Sequence, residues 1–299
     1  MTLRKTIAFA VLCLVWGSTW LAIRILVEQV SPIRAAALRF AIAVCVLVPL
    51  IAARRLKMPR GRALLANLIL SVTMIAVPIG LIFWAETRVP SGMTAVLFSA
   101  VPLVAGLYAN SANSRRMPHS AMLALLAGIG GMLLLLSSAL SASLDQAVGA
   151  MVVIAAVVTT GISSVYAKKE LAAVHPLVST MLQLCVAGVL LAGMSAVLER
   201  GRPSHWNGDA IGALLFLSLG ATVFAFPLYF WLLKEMEAYQ IGTIQWFEPL
   251  VAVVEGAILL DEPLSWRMIV GGTIVLASVV YVMRASEEDD ATVTLKITG

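Results

Sequence analysis

The stretch that decides the fold is FWAETRVPSGMTAVLFSAVPL, residues 83–103, because the chain repeats its outline at residues 230–250 as FWLLKEMEAYQIGTIQWFEPL. Each stretch runs 21 residues from an FW pair to a PL pair without a gap. Farther along each copy, the glycine pair at 130–131 corresponds to the glycine pair at 271–272. The sequence therefore predicts two copies of one structural unit.

The segments between the interruptions are apolar and long. Of the 299 residues, 61% are hydrophobic and 12% are charged. A helix needs roughly 20 apolar residues to cross a hydrocarbon core about 30 Å thick. The composition predicts an all-α membrane protein, with ten transmembrane helices at 5–27, 33–53, 63–85, 91–113, 119–138, 147–167, 175–198, 208–233, 239–260 and 265–284.

Ten helices in two copies give five helices per copy, and the copies are expected at 1–138 and 139–285, followed by a polar cytoplasmic tail at 286–299. Because five is odd, the second copy must start from the opposite face of the membrane. This is an inverted-topology repeat, in which secondary transporters hold their substrate near the midplane between the halves. A central cavity between the two copies is therefore expected.

Lys and Arg in the short loops predict the orientation, since they are enriched on the cytoplasmic side. With the N-terminus inside, the outer segments hold five of them: Arg34, Arg88, Arg200, Arg202 and Arg267. The inner segments hold thirteen: Arg4, Lys5, Arg54, Arg55, Lys57, Arg60, Arg62, Arg115, Arg116, Lys168, Lys169, Lys234 and Arg284. Both termini are expected in the cytoplasm, and the net charge of +5 requires no nucleic-acid partner.

Each copy places two prolines inside its predicted spans, at matching positions: Pro78 and Pro102 in the first copy, Pro227 and Pro249 in the second. A proline removes a backbone donor and frees a carbonyl one turn back. In lipid this is tolerated where neighbours or a water-lined cavity satisfy the freed groups. A packing kink explains any single one, but four at matching places favour a shared cavity wall.

Glu248 lies close to the middle of its predicted span, where an ionisable group is costly unless it is paired, solvated or protonated. Its counterpart in the first copy is Val101, so packing common to both copies does not require a carboxylate. The functional hypothesis is that Glu248 meets a substrate ammonium, carries a proton or pairs with a positive helix end. The structural alternative is that it stays protonated and bonds a carbonyl released by the kink at Pro249.

Aromatic residues supply the rest of the predicted pocket, although many membrane aromatics face lipid or lie in interfacial belts. Tyr166 and Phe230 fall in the same helices as the pocket candidates. The residues predicted to bind substrate are Trp16, Trp20, Pro78, Phe98, Pro102, Ser163, Phe226, Tyr229, Trp246, Glu248 and Pro249.

The other charges within or beside the spans are read as structural. Arg39 and Glu255 lie at similar depths below the outer surface, and they are predicted to form an ion pair. Arg24 with Glu28, and Glu86 with Arg88, lie near outer helix ends, where long side chains are expected to reach the interface.

Several classes of function are excluded by missing motifs. The chain has no phosphate-cradling G-x-x-x-x-G-K-[ST] loop for nucleotide hydrolysis. It has no H-E-x-x-H motif and no aspartate near the middle of a span for intramembrane proteolysis. His119, His175 and His205 form no metal-ligand spacing. No enzymatic activity, cofactor or metal is expected, and the few basic residues within spans favour substrates of low net charge.

Three stretches carry a resemblance to a known family: VWGSTWLAIRI (15–25), ALRF (37–40) and FEPLVAVVEGAILLDEPLSWRMIVGG (247–272). They resemble the EamA-type branch of the drug/metabolite transporter superfamily, and within it bacterial inner-membrane exporters of aromatic and other neutral amino acids. The resemblance implies a basket-like bundle of two inverted five-helix repeats that exports small metabolites by alternating access. At residue 261 many relatives carry glycine where this chain has aspartate.

Carried over position by position, the family's tryptophan-glycine element falls on Trp16 and Gly17. Its helix-two arginine falls on Arg39, and its Glu-Pro pair on Glu248 and Pro249. The resulting hypothesis is a secondary exporter of neutral amino acids in the bacterial inner membrane, and the alternative is a broad exporter of lipophilic cationic drugs. The expected partners are the amino-acid substrate and the bilayer, while proton coupling and a monomeric unit stay open.

Overall fold

The computed structural model describes residues 3–113, 119–236 and 243–298, and every regular element in these ranges is helical. The helices are α1 (Leu3–Gln29), α2 (Pro32–Ala53), α3 (Gly61–Leu70), α4 (Val77–Ala85), α5 (Ser91–Phe98), α6 (Val101–Asn113), α7 (His119–Ala142), α8 (Leu144–Glu170), α9 (Pro176–Leu198), α10 (Gly208–Leu215), α11 (Ala225–Glu235), α12 (Ile244–Leu259) and α13 (Trp266–Thr298). Two π-helical segments join neighbouring helices, Ser71–Ala76 between α3 and α4, and Phe216–Phe224 between α10 and α11.

Eight stretches are helical, long and apolar enough to cross a membrane. They are Leu3–Gln29, Pro32–Ala53, Gly61–Ala85, Ser91–Ala109, Ser120–Ala142, Leu144–Glu170, Pro176–Leu198 and Gly208–Leu232. They match the first eight predicted spans, which confirms a multi-pass helical membrane protein. The predicted ninth and tenth spans coincide with α12 and the apolar part of α13, Trp266–Val282, which are shorter. Ten crossings therefore stay a prediction.

Local sequence explains where several helices start. Proline is the first residue of α2 and of α9, a position whose backbone N–H has no helical partner to lose. Before α8 the Ser143 hydroxyl accepts the N–H of Gln146, and before α10 the Asn207 side chain accepts the N–H of Ala210. The Ser143 and Asn207 caps both lie at the face of the membrane where α1 ends, which we call the distal face.

Helix packing joins the two predicted copies. α1 packs against α10, α11 and α12 of the second copy, while α8 packs against α4, α5 and α6 of the first. α2 packs against α9, and α7 against α13, so that each of these helices meets its own counterpart. The two halves are therefore interlocked by helix packing and are not separate bodies.

Two glycine contacts repeat this reciprocity at atomic detail. A Cβ atom on Gly17 of α1 would lie 2.5 Å from Val251 Cβ and 3.2 Å from the carbonyl oxygen of Glu248. A Cβ on Gly161 of α8 would lie 2.7 Å from Val104 Cβ and 3.1 Å from the carbonyl oxygen of Val101. Val104 and Val251 hold the same place after the repeated PL pair. The equivalence supports the predicted repeat, and the inversion of the second copy stays a prediction.

Candidate functional site

Trp16 connects α1 to the second copy through a hydrogen bond and ring contacts. Its indole Nε1 donates a hydrogen bond to the carbonyl oxygen of Ala221, in the second π-helical segment, at 3.1 Å. Its ring lies 5.8 Å from that of Phe226 and 5.1 Å from that of Tyr229, both on α11. Phe230 extends this group through its own contacts with Phe226 and Tyr229. We call Trp16, Phe226, Tyr229 and Phe230 the aromatic cluster.

Trp20 lies one turn farther along α1 and contacts the first copy. Its ring is 5.5 Å from that of Phe98, at the end of α5, and both residues pack in the largest apolar core. Trp246 packs against a second core, built mainly from α5, α7, α8 and α13. The structure therefore brings the predicted aromatic residues to the helices around α1 but distributes them over more than one cluster.

Glu248 is half-buried on α12, directly before the buried Pro249. The absence of a side chain on Gly17 lets α12 approach α1 closely at this level. The Glu248 carboxylate interacts electrostatically with Cys13 of α1 and with Tyr229 of α11. An acidic group therefore lies beside the aromatic cluster, where α1 meets the second copy.

The four matched prolines do not all affect the backbone in the same way. The π-helical segments end two residues before Pro78 and three residues before Pro227. A π-helical turn re-pairs carbonyls that a proline leaves without donors, and such turns are frequent at functional sites. The fourth span is interrupted at residues 99–100, just before Pro102, whereas α12 continues through Pro249.

Ser163 has a different setting from Glu248. Its hydroxyl donates to Thr73 Oγ1 at 2.9 Å, which ties α8 to the first π-helical segment. Close by, Gln183 of α9 donates to the side-chain oxygen of Asn67 at 3.2 Å. These polar contacts tie the first π-helical segment to α8 and the preceding helix α3 to α9. A role for Ser163 in substrate binding stays a prediction.

The predicted ion pair between Arg39 and Glu255 is not formed in this structure. Glu255 Oε1 instead accepts a hydrogen bond from the Ser18 hydroxyl of α1 at 2.7 Å, and its Oε2 is buried without a partner in the described ranges. The Arg39 Nε atom is likewise buried and has no partner in that part of the chain. Similar depth was an insufficient criterion, because it does not determine which face of each helix the charge occupies.

Sequence reasoning also missed two glutamates that cap helices at the distal face. Glu199 accepts the N–H groups of Ile33 and Arg34 at 2.9 Å each, at the start of α2. Glu262 accepts those of Ser91 and Gly92 at 2.7 and 3.1 Å, at the start of α5. The sequence offered a signal only at α5, because Pro90 has no side-chain group that could cap the helix, whereas Ser31 is a favoured capping residue that forms no such bond here. Which distant acid fills the gap could not be read from the chain.

Glu86 is a further correction. Its side chain was expected to reach the membrane interface, but it is 0% exposed, and both carboxylate oxygens lack a hydrogen-bond partner in the described part of the chain. Burial, with a smaller contribution from Glu262, raises the pKa of Glu86 well above its ordinary value, against the opposing effect of Arg24. Arg88 follows the expectation more closely, since it bonds the exposed Asp145 at 3.0 Å.

A cavity of about 580 Å³ lies between α1 and α10 on the distal side. Its lining includes Ser18, Ala22 and Glu28 of α1, together with Asp209 and Phe216. None of the predicted substrate-binding residues lines it. The cavity nevertheless reaches Ser18, the residue next to Gly17, and thus the level at which α12 crosses α1.

The fold and these contacts define a multi-pass membrane protein built from two related halves, with an acidic residue beside an aromatic cluster at their junction. The sequence profile of the EamA-like transporter family matches residues 4–137 and again residues 147–284. The chain belongs to the EamA-like transporter family, which confirms the resemblance found in the sequence.

Individual relatives agree with this assignment. The chain is 24% identical to the transporter YoaV of Bacillus subtilis, covering 89% of this chain and 92% of YoaV. It is 28% identical to PagO of Salmonella typhimurium, covering 83% and 82%. It is 27% identical to the inner membrane transporter YedA of Escherichia coli, covering 92% and 90%. A crystal structure with 18% identity superposes with a TM-score of 0.62 over 95% of this chain and 98% of its own, which shows the shared fold.

Proposed function

We propose that the protein exports small neutral amino acids, including aromatic ones, across the bacterial inner membrane by alternating access. The observation that carries the proposal is the position of Glu248 beside Trp16 and Tyr229, where α1 of the first copy meets the second. The carboxylate would bind the substrate ammonium, and the aromatic cluster would accept an apolar or aromatic side chain. The distal face is then the outer face, in agreement with the distribution of Lys and Arg.

Arg39 favours amino acids over lipophilic cations. It lies on α2, which packs against the second π-helical segment, to which Trp16 is bonded. Its buried Nε has no partner in the described ranges, and no carboxylate of those ranges forms an ion pair with it. A zwitterion brings a carboxylate that can satisfy a guanidinium. A lipophilic cation brings only a second positive charge.

The alternative has support from the same cluster, since a carboxylate with aromatic rings also suits a lipophilic cation through cation–π contacts. Competition separates the two proposals. If amino acids are the substrates, excess unlabelled amino acid reduces radiolabelled uptake into proteoliposomes and cationic dyes do not. The opposite pattern would show that lipophilic cations are the substrates.

The residue-level test is Glu248→Gln in the same proteoliposomes. Loss of a charged hydrogen bond to the substrate predicts a decrease in uptake of about 10- to 100-fold. The matched control is Asp145→Asn, at an exposed position at the distal end of α8, for which unchanged uptake is expected. Unchanged uptake in a well-folded Glu248→Gln protein would remove this carboxylate from the mechanism.

A further inference from the structure

Glu86 lies at the distal face, in surroundings that disfavour an ionised carboxylate. It directly follows α4, is fully buried, and has no hydrogen-bond partner for either oxygen within the described residues. A buried charge without partners is far more costly than the neutral acid, so the group binds a proton instead. The charged groups around Glu86 determine how readily it releases that proton.

Glu262 supplies a second carboxylate close to Glu86. Its two oxygens accept the N–H groups of Ser91 and Gly92 at the start of α5, the end of a helix that favours an acidic side chain. Its charge opposes ionisation of Glu86. The two acids therefore differ in their surroundings: Glu262 accepts two main-chain hydrogen bonds, whereas Glu86 accepts none from the described residues.

Basic residues nearby are bonded to other groups. Arg24 of α1 donates from Nε to Glu28 at 3.0 Å, and from a terminal nitrogen to the main-chain oxygen of Glu86. It lowers the cost of ionising Glu86 but bonds neither carboxylate oxygen. Arg88, two residues on, stacks over Trp84 and bonds Asp145 of α8. Among the described residues, Glu262 and Arg24 are the charged groups that act on Glu86.

The turn after α12 is shaped to place Glu262 here. Asp261 has a φ of 51°, in the left-handed region that favours glycine and that aspartate tolerates better than most residues. The main-chain N–H of Glu262 then returns to the Gly256 carbonyl at 3.0 Å. A Cβ on Gly256 would lie 3.0 Å from the Ser91 hydroxyl and closer still to the Glu262 carboxylate, so glycine leaves the room that the site needs.

We propose that Glu86 is a proton-binding site of the distal face and is separate from Glu248. Glu86 holds its proton while α4, α5 and the α12–α13 turn stay packed. A proton is the ligand, since the described residues contain no group of three or more His, Cys, Asp or Glu side chains that could hold a metal ion. Arg24 bonds both the Glu86 main chain and Glu28, which lines the distal cavity, so the site lies close to that cavity but is closed to it in this structure.

What the proton does rests on the proposed transport function, but the existence of the site does not. If the distal face opens and separates α5 from the α12–α13 turn, water reaches Glu86 and its proton can leave. Closing the face would recapture one. The site would thereby couple the opening of the distal face to the proton concentration on that side.

The sign of the pH effect follows from linkage. Because the pKa of Glu86 is raised in the folded protein, its contribution to stability is complete below the ordinary carboxyl value near 4.5 and is lost as pH rises through the raised value. The wild-type protein in detergent should therefore show a thermal midpoint that falls as the pH rises above the ordinary carboxyl value of 4.5. Glu86→Gln mimics the neutral acid and should abolish most of that fall, whereas the control Asp145→Asn should keep it.

Three results would overturn the proposal. One is an equal pH-dependent fall in wild-type and Glu86→Gln proteins. Another is failure of both Glu86→Gln and Glu86→Leu to fold, because a site that holds a neutral acid must accept a neutral replacement. The third is recovery of the wild-type midpoint at high pH by Na⁺ or Mg²⁺ but not by choline at equal ionic strength, which would indicate a metal cation.

A second measurement separates this inference from the transport proposal. Amino-acid counterflow, which needs no net proton movement, should persist in Glu86→Gln proteoliposomes, while the stimulation of uptake by a pH gradient should be lost. If wild-type protein moves no amino acid, the proposed function fails and the thermal experiment still decides the proton site. If Glu86→Gln keeps full stimulation by a pH gradient, the coupling role of Glu86 is wrong.

Discussion

Alanine at Gly131 should destabilise the protein, whereas alanine at the neighbouring Gly130 should not. A Cβ on Gly131 of α7 would lie 2.8 Å from the carbonyl oxygen of Gly271 on α13, and 2.9 and 3.1 Å from Val275 Cγ2 and N. The contact is reciprocal, since a Cβ on Gly271 would lie 2.9 Å from the Gly131 carbonyl oxygen. A Cβ on Gly130 would meet nothing within 4 Å.

The magnitude follows from these distances. An ordinary Cβ contact begins near 3.4 Å, so α7 and α13 must separate by roughly 0.6 Å at the crossing, and backbone atoms cannot rotate away as a side-chain end can. Overpacking of this kind costs about 1–3 kcal/mol. Gly130→Ala carries no such cost, and the better helix propensity of alanine offers up to about 1 kcal/mol in its favour.

The assay is the free energy of unfolding, from SDS titration of the protein in mixed micelles. Gly131→Ala and Gly271→Ala should each lose about 1–3 kcal/mol. The double variant should lose less than the sum, because one separation of the helices relieves both contacts. Equal stability of Gly130→Ala and Gly131→Ala, or strict additivity in the double variant, would refute the reasoning.

Two further outcomes are expected. Gly17→Ala and Gly161→Ala should destabilise by similar amounts, about 1–3 kcal/mol in the same titration, because each new Cβ meets an equivalent valine. Only Gly17→Ala should also reduce uptake strongly, since its valine, Val251, lies one turn from Glu248. Glu199→Gln replaces one of the two oxygens that accept the N–H groups at the start of α2, and it should cost about 1–3 kcal/mol. An unchanged unfolding free energy for Glu199→Gln would contradict the capping role assigned to it.

Most of the fold could be predicted because its determinants are local or repeated. Runs of about 20 apolar residues define membrane helices without any knowledge of their neighbours. The matched FW and PL pairs, the prolines and the glycines revealed the two copies, since a repeat is visible in sequence even when contacts are not. The interruption at residues 99–100 was missed because the apolar pattern continues through it, and only the backbone shows the break before Pro102.

The site could be predicted only in part, because side-chain partners depend on the rotation of each helix. Trp16, Tyr229 and Glu248 lie on helices that meet at the repeat junction, and their shared role in binding substrate stays a prediction. The predicted pairing of Arg39 with Glu255 is not formed, because residues at the same depth can lie on helix faces that point in different directions. Long-range caps such as Glu199 are not readable from one chain, because no local pattern names the donor that an acid will satisfy.

The two copies form similar helix crossings, but only one of these crossings carries an acidic side chain. α1 on α12 and α8 on α6 make the same glycine-to-valine contact, so the mechanical junctions of the two copies are alike. At the residue whose carbonyl faces the glycine, the first copy has Val101 and the second has Glu248. The backbone differs there too, since the helix is interrupted before Pro102 but continuous through Pro249. Under the proposed alternating access, the two copies must differ in conformation at any moment. A carboxylate at only one of the two equivalent crossings would then bind the substrate to one copy and make its binding depend on that difference.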